Sequence, residues 1–171
     1  RVLFRSAAPP DRGLDWNEAG VEGCHRFLNR LSRLVGGSVA DLPPAGSPEP
    51  GDGWHEDALA LRRKTHQTIE RVTFNLGPRM HLNTPVSTVM ELINFAAPLA
   101  DRLPDRSDGG VSWALRECFE TVALLLTPFA PHFAEELWES LGREGFVSDA
   151  AWPDARDDLL VADQVTVVVQ V

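Results

Sequence analysis

The spacing of the apolar residues is the feature that most limits how this chain can fold. Apolar residues recur every three or four positions in several long segments, and polar residues fill the gaps between them. This spacing places the apolar side chains on one face of a helix. In the first segment they are Val21, Cys24, Phe27, Leu28, Leu31, Leu34 and Val35. The pattern predicts an all-α protein, an antiparallel bundle of about five helices.

Proline and glycine clusters, together with capping residues, set the expected ends of these helices. Asn17 is a candidate N-cap for the first helix, and Gly36-Gly37 a candidate stop. Thr84 followed by Pro85 is a typical helix start, and Pro98 is expected to kink or end that helix. The predicted helices cover about 17–35, 56–76, 84–98, 111–126 and 131–141, with an irregular loop over 36–53. The predicted core contains Phe27, Leu31, Ile69, Val72, Met90, Ile93, Phe119, Val122 and Trp138.

The two ends of the chain differ from the helical middle. Residues 165–171 form a β-branched run that predicts a strand, and a lone strand cannot satisfy its own backbone. We therefore expect the strand's partner to lie beyond Val171. Residues 1–6 match what the end of a common DNA-sequencing adapter encodes, so they are treated as a non-native scar. The expected layout is scar 1–6, helical bundle 7–153, and 154–171 as linker and first strand of a truncated C-terminal domain.

Composition limits the class of protein and its partners. The 171 residues carry a net charge of −9, whereas free-standing nucleic-acid-binding domains are usually basic. Charge alone therefore favours a plain interaction domain, although it allows a local basic surface. No apolar run approaches the ~20 residues that cross a bilayer, so no membrane association is expected. The two cysteines, Cys24 and Cys118, are expected to be free thiols in a reducing cytoplasm.

The sequence offers few groups for catalysis or metal binding. His132 and Glu135 lie three residues apart beside Glu136, a spacing that permits zinc ligation on one helix face. No second His or Cys ligand follows at helical spacing, so His132 is expected to pack or cap a helix start instead. Gly20 and Gly23 do not follow a strand and are not a phosphate-binding loop. We expect no catalytic residue and no metal ligand in this chain.

Two clusters of basic residues are the best candidates for binding. Arginines at helical spacing can contact an RNA backbone through its phosphates. The alternative is a solvated helix face with i,i+4 pairs, such as Glu22 with Arg26, and the pattern alone favours it. If the first two helices pack together, the clusters are expected to flank one groove. The residues are Arg26, Arg30 and Arg33 in the first helix, and Arg62, Arg63, Lys64 and Arg71 in the second.

Three tryptophans are candidate platforms for stacking bases. Trp16 precedes the first helix and has no assigned partner. Trp138 shares a stripe with Phe133 and Leu141, which favours a place in the core. Trp152 precedes a proline and is expected to hold its loop against the bundle. None of these patterns defines a reaction.

Four stretches of the chain are more specific than its periodicity. They read AAPP (7–10) with LDW (14–16) and GVEGCHRFL (20–28); KTHQTI (64–69) with RVT (71–73); LNT (82–84) with MELIN (90–94); and LTPFAPH (126–132) with EELW (135–138), continuing to WP (152–153) and VVQV (168–171). In this order they resemble the region that directly follows the catalytic core in bacterial leucine–tRNA ligases. The last stretch is shared with the valine, isoleucine and methionine enzymes, whereas AAPP, GVEG and VVQV favour leucine.

The resemblance implies a function for a parent enzyme rather than for this chain alone. It implies a class I aminoacyl-tRNA ligase, monomeric and cytoplasmic, that uses ATP and Mg²⁺ to charge tRNA(Leu). The family's catalytic motifs and editing domain lie upstream, so this fragment is expected to be inactive and to hold no cofactor. Its expected role is to orient tRNA through the seven basic residues named above, beside the upstream catalytic and editing domains. The alternatives are the equivalent domain of a valine or isoleucine ligase, or a non-enzymatic helical interaction domain.

Overall fold

The computed structural model describes residues 18–51, 53–77, 82–103 and 109–161. Within these ranges the chain is helical. Two short 3-10 turns, Val39–Asp41 and Val147–Asp149, follow the first and fifth helices. The α-helices are α1 (Glu18–Ser38), α2 (Glu56–Leu76), α3 (Asn83–Ala100), α4 (Gly109–Leu126), α5 (Pro131–Ser140) and α6 (Asp157–Leu160).

The helical bundle predicted from the sequence is confirmed, with shifts at several helix ends. α1 continues through Gly36-Gly37 to Ser38, because Val35 and Ser38 are both buried and Ser38 Oγ donates to the Leu34 carbonyl at 2.7 Å. Packing therefore outweighs the weak helix preference of the two glycines. The short helix α6 was not predicted. The predicted strand over 165–171, the scar over 1–6, Trp16 and the cap at Asn17 lie outside the described residues.

The start and end of α3 also differ from the prediction. Leu82 occupies the N-cap position without a side-chain cap, and Thr84 lies inside the first turn. The Thr84 carbonyl accepts a hydrogen bond from Thr88 Oγ1 at 2.8 Å. Pro98 does not end the helix, because the last turn continues to Ala100 and the Asp101 N–H bonds to the Ala97 carbonyl at 3.0 Å.

α2 lies at the centre of the bundle. It packs against α3, α4 and α6, while α1 packs against α3 and α5, and α4 packs against α5. Eight of the nine predicted core residues are buried, and Met90 is half-buried at the edge. The largest apolar side chains that are fully buried include Leu31, Leu61, Leu92, Ile93, Leu115, Phe119, Leu125 and Leu126.

Trp138, Trp152 and Cys118 take the places expected of them, whereas Cys24, expected to be buried, is half-buried. Trp138 is buried in the core, and Trp152 holds the C-terminal stretch against α2 by donating from Nε1 to Thr73 Oγ1 at 2.8 Å. Cys24 and Cys118 are free thiols. Burial raises the pKa of the Cys118 thiol to about 12, so it stays protonated at neutral pH. In the described ranges, no helix combines the length and apolar character that a membrane crossing requires.

The role of α1 in the core can be tested at one position. Leu31 is fully enclosed, so Leu31→Ala removes buried apolar atoms and leaves a cavity. We expect the free energy of unfolding to fall by about 2–5 kcal/mol in a urea titration followed by circular dichroism. The neighbouring Ser32→Ala is the control, because Ser32 is exposed and its change should stay within about 0.5 kcal/mol. Equal effects of the two substitutions would contradict this assignment of the buried face.

Candidate nucleic-acid interface

The structure separates the basic residues predicted to bind RNA into an inner and an outer group. Arg62 is the inner one, with only 2 % of its surface exposed. Arg63 and Lys64, its neighbours in α2, are half-buried. The exposed members are Arg26, Arg30, Arg33 and Arg71. We call these four residues, together with Arg63 and Lys64, the outer cations.

Arg62 is enclosed by two aromatic rings and two carboxylates. Its guanidinium carbon lies 4.3 Å from the ring centre of Trp54 and 5.0 Å from that of Trp113. Its Nε donates to Glu117 at 2.9 Å, and its Nη1 donates to Glu49 at 2.6 Å. The two indoles meet edge to face with centroids 5.6 Å apart. The charge is therefore paired, hydrogen-bonded and stacked, as a buried guanidinium must be.

A histidine extends this cluster to the C-terminal stretch. His66 Nδ1 accepts from the backbone N–H of Arg156 at 3.1 Å, so Nε2 carries the proton and donates to Glu117 at 3.2 Å. The Arg156 guanidinium donates to Glu49 at 2.9 Å. We call these five side chains, Glu49, Arg62, His66, Glu117 and Arg156, the inner ion cluster. It joins the loop before α2, the helices α2 and α4, and the stretch before α6.

The inner ion cluster sets the charge state of Glu117. Burial alone would raise the pKa of this carboxyl group. Hydrogen bonds from His66 and Arg62 and the positive charge of Arg62 outweigh burial, so the pKa of Glu117 lies below its ordinary value of 4.5. Glu117 is therefore ionised at neutral pH. The Nε and both Nη groups of Arg62 donate to Glu117 and Glu49, so this geometry argues against a phosphate contact by Arg62.

The exposed arginines of α1 form a row beside α3. Arg26, Arg30 and Arg33 are spaced by four and three residues, so they share one helix face. Arg30 Nη2 donates to Asn94 Oδ1 of α3 at 2.7 Å, and this bond places the three arginines next to α3. We call these three residues the α1 row.

The outer cations of α2 lie beside α3 as well. Lys64 Nζ is 3.8 Å, and Arg71 Nη1 3.7 Å, from the same Glu91 oxygen, Oε2. Glu91 and Asn94 are three residues apart on α3, which makes them surface neighbours. The α1 row and the α2 cations therefore flank the exposed face of α3. The two clusters were expected to flank one groove if α1 and α2 packed together, but both helices pack against α3, which lies between the clusters.

Two phenylalanines that the sequence did not mark as candidate binding residues are exposed. Phe74 and Phe95 expose 49 % and 42 % of their surfaces. Phe74 and Arg71 line a cleft of about 490 Å³ between α2 and α3. A signal was present for Phe74, because it falls outside the apolar stripe of α2 that Ile69, Val72 and Leu76 continue. An aromatic residue off the buried face of a helix merits attention as a binding residue.

Of His132, Glu135 and Glu136, the candidate metal ligands, Glu135 has a structural role. Glu135 accepts from the backbone N–H groups of Val147 at 2.8 Å and Ser148 at 3.3 Å, which fixes the 3-10 turn after α5. His132 and Glu136 are exposed at the start and middle of α5. In the part of the chain that the structure describes, no three His, Cys, Asp or Glu side chains group in a way that could hold a metal ion.

The larger part of the bundle, from α2 onward, matches a known class of domain. Residues 59–171 match the family model described as the anticodon-binding domain of tRNA ligase. The chain therefore belongs to the anticodon-binding domains of tRNA ligases.

Within that class, the relatives are leucine enzymes. The chain is 46 % identical to the leucine–tRNA ligase of Desulfatibacillum aliphaticivorans and 44 % identical to that of Paramagnetospirillum magneticum. Both comparisons cover 100 % of this chain, but only 20 % and 19 % of those enzymes. The chain thus spans about a fifth of the length of the curated relatives that it matches.

A solved structure supports the same relationship. The chain is similar to LeuRS in the crystal structure of a ternary LeuRS–tRNA–LeuAMS complex from Agrobacterium radiobacter K84. The TM-score is 0.74 and the identity 25 %, over 94 % of this chain and 20 % of that one. The helical architecture described above is therefore that of a LeuRS segment.

The charge of Glu117 can be tested through the pH dependence of stability. Because its folded pKa lies below 4.5, Glu117 stabilises the fold above that pH, and the contribution is lost as the pH falls through the folded pKa. We expect Glu117→Gln to lower the free energy of unfolding by about 2 kcal/mol at pH 7. The gap to wild type should shrink below pH 4.5. Urea titrations at several pH values measure it.

The matched control for this experiment is Glu139→Gln, because Glu139 is exposed on α5. It removes the same charge without touching the inner ion cluster and should change stability by no more than about 0.5 kcal/mol. A gap for Glu117→Gln that stays constant from neutral to acid pH would show that the carboxylate charge does not stabilise the fold.

Proposed function

We propose that this chain is the tRNA-binding helical domain of a leucine–tRNA ligase and that it orients tRNA(Leu) for aminoacylation. The observation that carries the proposal is the similarity to leucine–tRNA ligases along the whole chain, at 46 % identity in one relative. The outer cations supply the chemistry, since Arg26, Arg30, Arg33 and Arg71 are exposed and phosphates can reach them. The alternatives of a valine or isoleucine ligase domain and of a non-enzymatic interaction domain have less support from these relatives.

The proposed division of labour leaves the reaction to the rest of the parent enzyme. The upstream catalytic and editing domains would bind ATP, Mg²⁺ and leucine, and no residue of this chain is assigned to them. This domain would contribute orientation, which lowers the entropic barrier to bringing the acceptor end of the tRNA to a distant site. The isolated chain is therefore inactive under this proposal. The parent enzyme is proposed to be monomeric and cytoplasmic.

The domain layout is part of the same proposal. Residues 7–153 form the tRNA-binding bundle, and 154–171 a linker and the first strand of a C-terminal domain, with 1–6 as a non-native scar. The contacts of Arg156 and Trp152 with the bundle support a linker that begins against α2.

The proposed tRNA contacts are the outer cations on both sides of α3. The α1 row supplies Arg26, Arg30 and Arg33 on one side, and Lys64 and Arg71 of α2 lie on the other. The half-buried Arg63 of α2 is proposed as a further contact. Arg62 was among the residues predicted to bind tRNA, but under this proposal it supports the fold from within. With a net charge of −9, the domain binds only where such cations are concentrated, which limits nonspecific RNA binding.

The α1 row can be tested by the salt dependence of tRNA binding. In the full-length ligase that carries this segment, Arg33→Gln should weaken tRNA(Leu) binding. It should also reduce the slope of log K against log salt by about one, because one phosphate contact is lost. Filter binding between about 50 and 200 mM salt measures the slope.

The matched control is Arg102→Gln, which also removes one positive charge. Arg102 is exposed at the end of α3, where its Nε donates to the Pro98 carbonyl at 2.9 Å, and it is not among the proposed contacts. This variant should keep the wild-type slope, and both variants should keep leucine-dependent pyrophosphate exchange. Identical slopes for wild type and both variants would remove Arg33 from the interface. Parallel losses with the Arg102 variant would show only a general effect of charge.

A further inference from the structure

Glu91 is the one charged residue in the 18-residue sequence of α3. It lies on the exposed side of that helix with Ser87 and Asn94, at positions spaced by one helical turn. Cations of α1 and α2 flank this side of α3, since Arg30 donates to Asn94 and two cations of α2 approach Glu91. A carboxylate at the centre of a surface proposed to bind phosphates repels them, so its place there needs a reason.

The two cations of α2 converge on a single oxygen of Glu91. Lys64 and Arg71 are seven residues apart, so their backbone positions differ by about 10 Å along the helix axis. Their side chains nevertheless end beside the same atom. Lys64 Nζ lies 3.8 Å, and Arg71 Nη1 3.7 Å, from Glu91 Oε2. One anionic group from α3 therefore pairs with both cations.

These two ion pairs are too exposed to contribute much to the stability of the fold. The side chains of Lys64, Arg71 and Glu91 expose 32 %, 54 % and 51 % of their surfaces. Water screens long contacts between exposed charges, and such pairs contribute little to folding. The Glu91 carboxylate can therefore leave the two cations at small cost, and another anion can take its place.

A cleft beside the two cations has room for a larger anion. Lys64 and Arg71 line this cleft, which has a volume of about 490 Å³. The exposed Gln67 lies between them on α2 and adds amide N–H donors. A phosphodiester suits these groups, because its oxygens accept charge-assisted hydrogen bonds from both cations. Glu70 also lines the cleft, so the two cations and the carboxylates of Glu70 and Glu91 sum to no net charge.

We propose that Glu91 occupies, in the free protein, the position that one phosphate of bound tRNA takes between Lys64 and Arg71. Carboxylate and phosphate have the same sign of charge, so the two cations pair with one or with the other. Glu91 thus competes with the RNA and limits the affinity of the domain, which favours release of the tRNA. The inference rests on the proposed tRNA-binding function and explains an acidic residue that would otherwise only oppose it.

A carboxylate could instead hold two cations in place for an incoming ligand. The contacts of Glu91 do not favour that role, because long and exposed ion pairs restrict side chains only weakly. The two roles predict opposite effects of removing the charge: loss of a competitor tightens RNA binding, whereas loss of a positioning group weakens it.

The first test measures binding of a tRNA(Leu) transcript to the full-length ligase that carries this segment, at about 0.15 M salt. Glu91→Gln keeps the shape of the side chain and removes its charge. We expect binding to tighten about fivefold, the effect of one charge interaction at about 4 Å in water. The melting temperature should stay at the wild-type value, because Glu91 is exposed.

The matched control is Glu70→Gln, which removes the same charge from the same cleft. In the described part of the chain, Lys64 and Arg71 pair with Glu91 rather than with Glu70. The control should therefore change the affinity by less than about twofold, because salt screens charges that are not in contact.

The second test removes the two cations together. Lys64→Gln with Arg71→Gln should reduce the slope of log K against log salt by about one, since one shared phosphate contact is lost. Adding Glu91→Gln to this double variant should no longer tighten binding, because the carboxylate acts only through the two cations.

Each outcome separates this inference from the proposed function. Unchanged or weaker binding by Glu91→Gln overturns the inference, as does an equal gain in Glu70→Gln. A gain that persists without the two cations, or an unchanged slope in their absence, also overturns it. In all these cases a reduced slope for Arg33→Gln leaves the proposed function in place. Wild-type behaviour of every variant, Arg33→Gln included, contradicts both.

Discussion

The burial of one positive charge, that of Arg62, determines how the segments around the centre of this bundle are joined. A guanidinium cannot be enclosed without partners, because the lost hydration costs several kcal/mol. Glu117 comes from α4, Glu49 from the loop before α2, and the rings of Trp54 and Trp113 contact the guanidinium. These four partners come from the segment before α2 and from α4, so pairing the charge also brings those two parts of the chain together.

The same interaction continues to the C-terminal stretch. His66 accepts a hydrogen bond from the Arg156 backbone and donates one to Glu117, and the Arg156 side chain donates to Glu49. The stretch before α6 is therefore attached through polar groups, while Trp152 attaches it through its indole. This attachment also forms one wall of an apolar cleft beside Phe74. The inner ion cluster therefore helps to form this cleft, although none of its five side chains lines it.

Basic residues in this domain lie in two separate environments, which is how an acidic chain can fit the proposed role in RNA binding. Arg62 holds the fold together from inside, whereas the α1 row, Lys64 and Arg71 face outward around α3. The neighbours Arg62 and Arg63 differ in environment only because one helical step rotates the side chain by about 100°. A count of charges cannot reveal this difference, but the helix register can.

The fold could be predicted largely from apolar periodicity, as Leu31, Ile69 and Phe119 illustrate, since each repeats the spacing of a buried helix face. The partners of Arg62 could not be predicted in this way. Glu117 is 55 residues away in sequence, and only packing of α2 against α4 brings it near. The place of α3 between the two basic clusters also depends on packing, so the periodicity of the separate helices could not predict it.

The central claim is that Arg62 is an internal residue and that the outer cations contact RNA. The most direct test is Arg62→Met in the full-length ligase, with unfolding and the salt dependence of tRNA(Leu) binding measured on the same preparation. The account predicts a loss of about 3 kcal/mol in the free energy of unfolding, because Glu117 loses its charged partner. The salt slope of the folded protein should stay at the wild-type value. Unchanged stability, with a slope reduced by about one, would contradict the account and make Arg62 a phosphate contact.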